Sequence, residues 1–207
     1  KESLQKSKGD CHLLGLLSPG GVHSHQEHIL GVAKLLASYG IKVWVHALLD
    51  GRDVDPTSAL NYISPLEEYL AGFDGCDYRI ASGGGRMYMT MDRYNADWSM
   101  VDRGWKAHVL GEGRQFASAT EAIEVYRAEN AGLLDQDMHE FVIAENGKAV
   151  GTIEDGDSVI YFNFRGDRAL EMTAAFETPA SADFPYFERK RVPAVEYAGM
   201  MEYDGDA

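Results

Sequence analysis

Four short stretches hold the side chains best suited to chemistry on an anion: SPGGVHSH from Ser18, DGRD from Asp50, GGGRMYMTMDR from Gly83 and RGDR from Arg165. Between them they carry His23, Arg52, Asp53, Arg86, Arg93, Arg165 and Arg168. Five of the chain's eleven arginines therefore fall in three loops. A planar guanidinium meets a carboxylate or phosphate with paired hydrogen bonds, and each charge-assisted bond contributes about 1.5–3 kcal/mol when desolvated. A single loop arginine is an ordinary solvated charge, and Arg168 has Asp167 and Glu171 at hand as partners. Five in equivalent positions point to an anion site. Asp53 is the odd member, because a carboxylate beside Arg52 opposes an anionic ligand. General-base work on a substrate hydroxyl would justify it; bracing the loop or capping a helix is the alternative.

The first stretch also raises the question of metal. Ser24 and Glu27 form an S-x-x-E capping box, which places His25 and His28 on the first helical turn and leaves His23 in the glycine loop, facing the site. The His23/His25 pair also resembles the H-x-H metal pair of amidohydrolase barrels. That architecture needs eight βα units, about 250 residues and further ligands on other strand ends. Only His46 lies in another of the strands that lead to these loops, and it sits before the strand's end.

Bulk properties narrow the field. The 207 residues carry a formal net charge of −14, which argues against non-specific nucleic-acid binding, since that depends on Lys and Arg neutralising phosphates. Exposed acids beyond about 8 Å are largely screened at physiological salt, so a local arginine cluster keeps its attraction. Cys11 and Cys76 lack metal-ligand spacing and cannot build a multi-disulfide framework, which makes a reducing compartment, the cytoplasm, the expected location. The longest early apolar run, Leu13 to Leu17, is too short for a signal segment or a membrane span.

Such loops need a scaffold, and hydrophobic periodicity predicts one. In four units an apolar strand ends in a Gly-rich or charged loop that runs into an amphipathic helix. Strand Leu13–Leu17 leads through SPGGVH to a helix with the stripe Ile29, Val32, Ala33 and Leu36, stopped by Gly40. Strand Ile41–Leu49 leads through DGRD to a helix opened by Asp55 with Pro56 at its first position, which Pro65 should kink or divide. Strand Cys76–Ser82 leads through the Arg86–Arg93 loop to a helix with Trp98, Val101 and Trp105 as core residues. Strand Ser158–Phe164 leads through RGDR to a helix from Ala169 to Phe176. A further helix carries the capping box Ser118/Glu121, and Asn146-Gly147 suits a type I′ hairpin turn. Beyond Phe176 the pattern degrades to loop, short helix and one strand near Val195. The alternation predicts an α/β fold whose mostly parallel sheet is covered on both faces, with the hairpin antiparallel. Ligands of such sheets bind outside the carboxyl ends of the strands, where all four loops lie.

In this order and spacing, LLSPGGVHSH, LDGRD, SGGGRMYMTMDR and FNFRGDRA closely resemble the substrate-binding (phosphotransferase) domain of the cofactor-independent phosphoglycerate mutases, from about Leu13 to Phe176. The resemblance implies a three-layer α/β/α domain with a mixed sheet. It also implies the interconversion of 3-phosphoglycerate and 2-phosphoglycerate through a phosphoserine intermediate, a step of glycolysis and gluconeogenesis. By it, His23 contacts the phosphoryl group and Asp53 is the catalytic acid/base on the glycerate hydroxyl. Arg52, Arg86 and Arg93 hold the glycerate and its carboxylate, and Arg165 and Arg168 hold the phosphoryl group. The substrate carries about −2.5 to −3 at neutral pH, against a formal +4 for the five arginines and Asp53.

Pro19 stands where the family commonly has aspartate, Gly166 where proline or alanine is common, and one extra residue separates Arg86 from Arg93. The family's phosphatase-like domain supplies the nucleophilic serine and two divalent metal ions, usually manganese, and has no counterpart in this sequence. The implied division is a frayed segment 1–12, a phosphoglycerate-binding domain 13–176, and a segment 177–207 leading back to that phosphatase-like domain of the same polypeptide. Such a chain holds no cofactor or metal of its own, takes neither nucleic acid nor membrane as partner, and binds phosphoglycerate without turning it over alone. The alternatives are a metal-dependent hydrolase built on His23 and His25, and a non-catalytic anion-binding module.

Overall fold

The computed structural model describes residues 9–73 and 78–203. Its strands are β1 (Cys11–Leu17), β2 (Val43–Leu49), β3 (Arg79–Gly85), β4 (Arg114–Phe116), β5 (Phe141–Glu145), β6 (Lys148–Ala149), β7 (Ser158–Tyr161) and β8 (Glu196–Gly199). The helices are α1 (Gln26–Ser38), α2 (Leu60–Ala71), α3 (Trp98–Trp105), α4 (Ala119–Glu129) and α5 (Leu170–Glu177). The sheet order is β4-β5-β3-β2-β1-β7-β8, with β6 paired to β5. Neighbours run parallel except β3 with β5 and the β5–β6 hairpin.

Every residue of β1 and β2 is buried, as strands covered on both faces require. Alternate side chains enter opposite layers. Leu13, Leu17, Val45 and Leu49 join a core with Ile29 of α1, Ile63 of α2 and Ile123 of α4. Leu14, Val159 and Tyr161 join another with Val101 and Trp105 of α3 and Met172 of α5. The fold is therefore three-layered and mostly parallel, as expected, and β1, β2, β3 and β7 end at the same side of the sheet. Among the described residues no helix is long and apolar enough to cross a membrane.

Several local expectations hold. Ser118 Oγ accepts from the Glu121 amide at 3.0 Å, Gly40 follows α1 at φ 69°, and Asn146 and Gly147 turn the hairpin at φ 52° and 76°. The strand expected near Val195 is β8, and Val101 and Trp105 are core residues; Trp98 is only half-buried, stacked on Tyr186 at 3.7 Å.

Others need correction. The N-cap of α1 is His25, whose Nδ1 accepts from the Glu27 amide at 3.3 Å, while the Ser24 hydroxyl donates to the Leu16 carbonyl. The second helix does not open at Asp55-Pro56: Asp55 closes a turn on the Thr57 amide at 3.0 Å, and α2 starts at Leu60. Its Ala59 amide is capped at 2.7 Å by Asp135, from far along the chain, and it runs through Pro65 undivided. β3 is shifted towards the loop relative to Cys76–Ser82, and Cys76 lies outside the described residues. β7 stops at Tyr161, three residues before Phe164, and Cys11 and His12 already belong to β1.

Candidate functional site

The centre of the site is a buried ion-pair cluster. Gly51, at φ 61°, lets DGRD fold so that Asp50 accepts from the amides of Arg52 at 3.2 Å and Asp53 at 3.0 Å. A side chain at position 51 would meet Asp135 Cβ at 2.9 Å, so glycine is required there twice over. Asp50 also accepts from Ser18 Oγ at 2.6 Å and from Arg86 Nη1 at 2.7 Å. Arg86, 1% exposed, donates to Asp53 as well. Burial pushes the Asp50 carboxyl up, but the hydrogen bonds from Ser18, Asp53 and Arg86 outweigh it and hold the group below the ordinary carboxylate range. Gly20 lies so close that an added Cβ would sit 2.9 Å from Asp53 Cβ, which brings the glycine loop against the aspartate.

His23 stands near enough to this cluster to feel the charges of Arg86 and Asp53. Its carbonyl accepts from the Phe164 amide at 2.7 Å, tying the loop after β1 to the loop after β7. The ring is 3% exposed, its Nδ1 has no hydrogen-bond partner among the described residues, and Asp167 Oδ1 stands 3.9 Å away. Burial, then the charge of Arg86, lowers the His23 pKa from 6.5 to about 4. The imidazole is therefore neutral at pH 7, with a buried ring nitrogen that has no hydrogen-bond partner among the described residues. Because the unfolded chain takes up this proton first, the residue's contribution to stability should fall as pH drops from about 6.5 to about 4 and stay level below. Imidazole NMR checks this: titration of His23 near 4 is expected, and a midpoint near 6.5 would mean the ring is hydrated.

The remaining arginines come from three loops. Arg168, 5% exposed, donates from Nη1 to the Met91 carbonyl at 2.6 Å and not to Asp167 or Glu171. Its pKa is lowered by burial and then by the like charges of Arg86, Arg93 and, more weakly, Arg52, which is the electrostatic mark of guanidiniums gathered in one place. Arg165 and Arg52 are exposed and Arg93 is half-buried.

Asp167 was not expected in this site. Its oxygens lie 2.9 Å from Arg165 Nε and 3.9 Å from Arg93 Nη1, yet neither completes an aligned hydrogen bond. It is an ion-paired carboxylate that leaves its partners' donors available. Ser18, Asp50 and Asp167 are thus site residues that sequence reasoning missed. The D-G-x-D pattern, with a first aspartate able to accept the turn's amides, was a usable signal for Asp50; nothing local marked Asp167. With Asp50 and Asp167 counted, the five arginines face three carboxylates and the formal balance is +2 rather than +4.

A cavity of about 390 Å³ opens beside Asp167, lined by Tyr94, Trp98, Leu170, Glu171 and Tyr186. Another of the same volume, around Glu67, Tyr78 and Ile80, shares no residue with the arginine loops. Among the described residues no group of three or more His, Cys, Asp or Glu side chains is arranged to hold a metal ion. His25 Nδ1 is engaged in capping α1, so the His23/His25 hydrolase reading gains nothing from the geometry.

Comparison with known proteins bears on this arrangement. The family model described as the BPG-independent PGAM N-terminus matches residues 1–205. A probable 2,3-bisphosphoglycerate-independent phosphoglycerate mutase of Leptospira interrogans is 54% identical over 209 residues, which cover 98% of this chain and 37% of that protein. The 2,3-bisphosphoglycerate-independent phosphoglycerate mutase of Trypanosoma brucei brucei is 55% identical over 199 residues, 94% of this chain and 36% of that protein. Among solved structures, Leishmania mexicana phosphoglycerate mutase, crystallised at low cobalt concentration, superposes with a TM-score of 0.94 at 51% identity, covering 99% of this chain and 38% of that one. The chain spans little more than a third of the length of these relatives.

Proposed function

The chain belongs to the BPG-independent phosphoglycerate mutase N-terminal family, and on that premise we propose that it is the part of such a mutase that binds phosphoglycerate and handles its hydroxyl proton. The observation that carries the reading is the meeting of His23, Arg52, Asp53, Arg86, Arg93, Arg165 and Arg168 at one end of a parallel sheet, in an otherwise acidic chain.

In this reading Arg165 and Arg168 hold the phosphoryl group, with the neutral His23 against one of its oxygens. Arg52 and Arg93 hold the glycerate and its carboxylate, and Arg86 fixes Asp53 beside the glycerate hydroxyl. When that hydroxyl attacks the phosphorus of a phosphoserine, an O–P bond to glycerate forms and the bond to the serine oxygen breaks. Asp53 takes the hydroxyl proton; in the reverse direction it returns it. The incoming anion competes with Asp167 for Arg93 and Arg165. The serine and a pair of divalent metal ions, proposed to be manganese, belong to the remainder of the polypeptide, to which the segment 177–207 leads back. The metals' contribution would be to lower the pKa of the serine and neutralise phosphoryl charge. Location in the cytoplasm fits a glycolytic and gluconeogenic enzyme.

Calorimetric titration of this chain with 3-phosphoglycerate, in the presence of a chelator, is the test. Saturable binding is expected, weakened about tenfold or more by Arg165→Ala, which removes a charge-assisted contact. Turnover by the chain alone is not expected. Absence of binding here and in the full-length protein would remove the proposal.

A further inference from the structure

Behind the site, on the face of the sheet that carries α3 and α5, five hydrogen bonds join six side chains into one line. Asp157 Oδ2 lies 3.0 Å from His12 Nε2, His12 Nδ1 is 2.9 Å from His46 Nε2, and His46 Nδ1 is 2.7 Å from Ser82 Oγ. Ser82 Oγ is 2.8 Å from His108 Nδ1, and His108 Nε2 is 3.0 Å from Thr90 Oγ1. All but Asp157 are fully buried. His12, His46 and Ser82 come from β1, β2 and β3, and His108 from the π-helical turn Lys106–Leu110 that continues α3. So many buried polar groups are tolerable only if each is paired.

With one proton on each of the three rings, the pairing has one sense. An ionised carboxylate only accepts, and Asp157 also accepts from the amides of Asp10 and Glu154, each at 2.8 Å. Burial raises its pKa, but these bonds and the one from His12 outweigh that and keep it ionised. His12 therefore donates from Nε2 and accepts at Nδ1 from His46 Nε2–H. His46 Nδ1 accepts from the Ser82 hydroxyl, whose oxygen accepts from His108 Nδ1–H. His108 Nε2 then accepts from the Thr90 hydroxyl. With neutral rings every ring nitrogen is used once and none is left over; burial keeps His46 and His108 in that state.

The line ends at a strained position. Thr90 has φ 67°, a conformation a β-branched residue rarely adopts. Its amide donates to the Met100 carbonyl at 2.8 Å, and Gly104 makes room for it, since an added Cβ there would fall 2.3 Å from Thr90 Oγ1. The next carbonyl, that of Met91, takes the 2.6 Å bond from Arg168, and Arg93 follows two residues on. We propose that the line from Asp157 to Thr90 is a positioning device: it clamps the Thr90 hydroxyl, fixes the left-handed turn of the Arg86–Arg93 loop, and so aims the Met91 carbonyl at Arg168. Thr90 and His108 are positioning residues and touch no ligand. The proposal rests on the preceding functional reading only for what Arg168 binds.

The test combines two readouts on this chain. Imidazole nitrogen NMR should find His12 and His46 protonated on Nε2 and His108 on Nδ1, with the His108 preference lost in Asp157→Asn, whose amide no longer dictates direction. Thr90→Val keeps the shape and removes the hydroxyl. It should shift the backbone signals of Met91 to Arg93 and weaken 3-phosphoglycerate binding about tenfold, both restored in Thr90→Ser. A proton on His108 Nε2 in the parent, or unchanged loop signals in Thr90→Val, overturns the proposal. If Thr90→Val does not fold, the parent tautomers decide. If the parent binds no 3-phosphoglycerate, the functional reading fails while the tautomers and loop signals still decide the clamp.

Discussion

Replacing Asp53 with asparagine in the full-length protein is expected to lower phosphoryl transfer about 10²–10⁴-fold while leaving the KM for phosphoglycerate unchanged or lower. Asparagine keeps the shape and the loop but cannot accept the hydroxyl proton. Arg86 would still have Asp50 at 2.7 Å, so the buried guanidinium is not left unpaired and the fold should stand. Removing one of the three carboxylates raises the formal balance from +2 to +3, which favours an anion. A fall in kcat without a rise in KM therefore separates proton transfer from binding. Full turnover in the variant would reduce Asp53 to a brace for Arg86, the alternative that its ion pair with that residue makes concrete.

Much of this was legible because it is local. The four strand-loop-helix units, the Ser118 cap and the Asn146-Gly147 turn are each specified within a few residues, and the topology rule carries the loops to one end of the sheet. What was misread depends on partners distant in sequence. Asp55-Pro56 looks like a helix start, but Asp135 caps α2 four residues later. Ser24 looks like a cap, but its hydroxyl satisfies the Leu16 carbonyl and His25 takes the role. β4 has three residues and no periodicity of its own, and exists because β5 supplies its partner. The same holds in the site: the arginines stand out by type, whereas Asp167 and the line of histidines owe their meaning to neighbours gathered from β1, β2, β3 and the loops around them.

Arg86→Met is expected to lower folding stability by about 3–5 kcal/mol, far more than loss of a surface arginine, because it leaves Asp50 buried without its charge partner. The size alone does not identify the cause; its pH dependence does. In the parent, Asp50 is held below its ordinary value of 3.8, so its contribution is present above about 3.8 and lost as pH falls through the lower, folded value. In the variant the hydrogen bond and charge of Arg86 no longer oppose burial, so the folded pKa of Asp50 rises relative to the parent's, and the folded variant takes up the proton more readily than the folded parent. The stability gap between variant and parent should then narrow as pH is lowered from 7 towards 4. Arg86 also lowers the His23 pKa, so its loss changes His23 as well, but that change is common to both chains lacking Arg86 and cancels in the coupling energy between the Arg86 and Asp50 substitutions. Adding Asp50→Asn to the variant removes the stranded charge and should recover part of the loss at pH 7, with the part of the pH dependence due to Asp50 gone. Denaturant unfolding of the parent, the two single variants Arg86→Met and Asp50→Asn, and the double variant across this range is the measurement. A coupling energy near zero at every pH would mean that Arg86 stabilises by packing its stem, and that the Asp50–Arg86 pair is incidental to how the site is held.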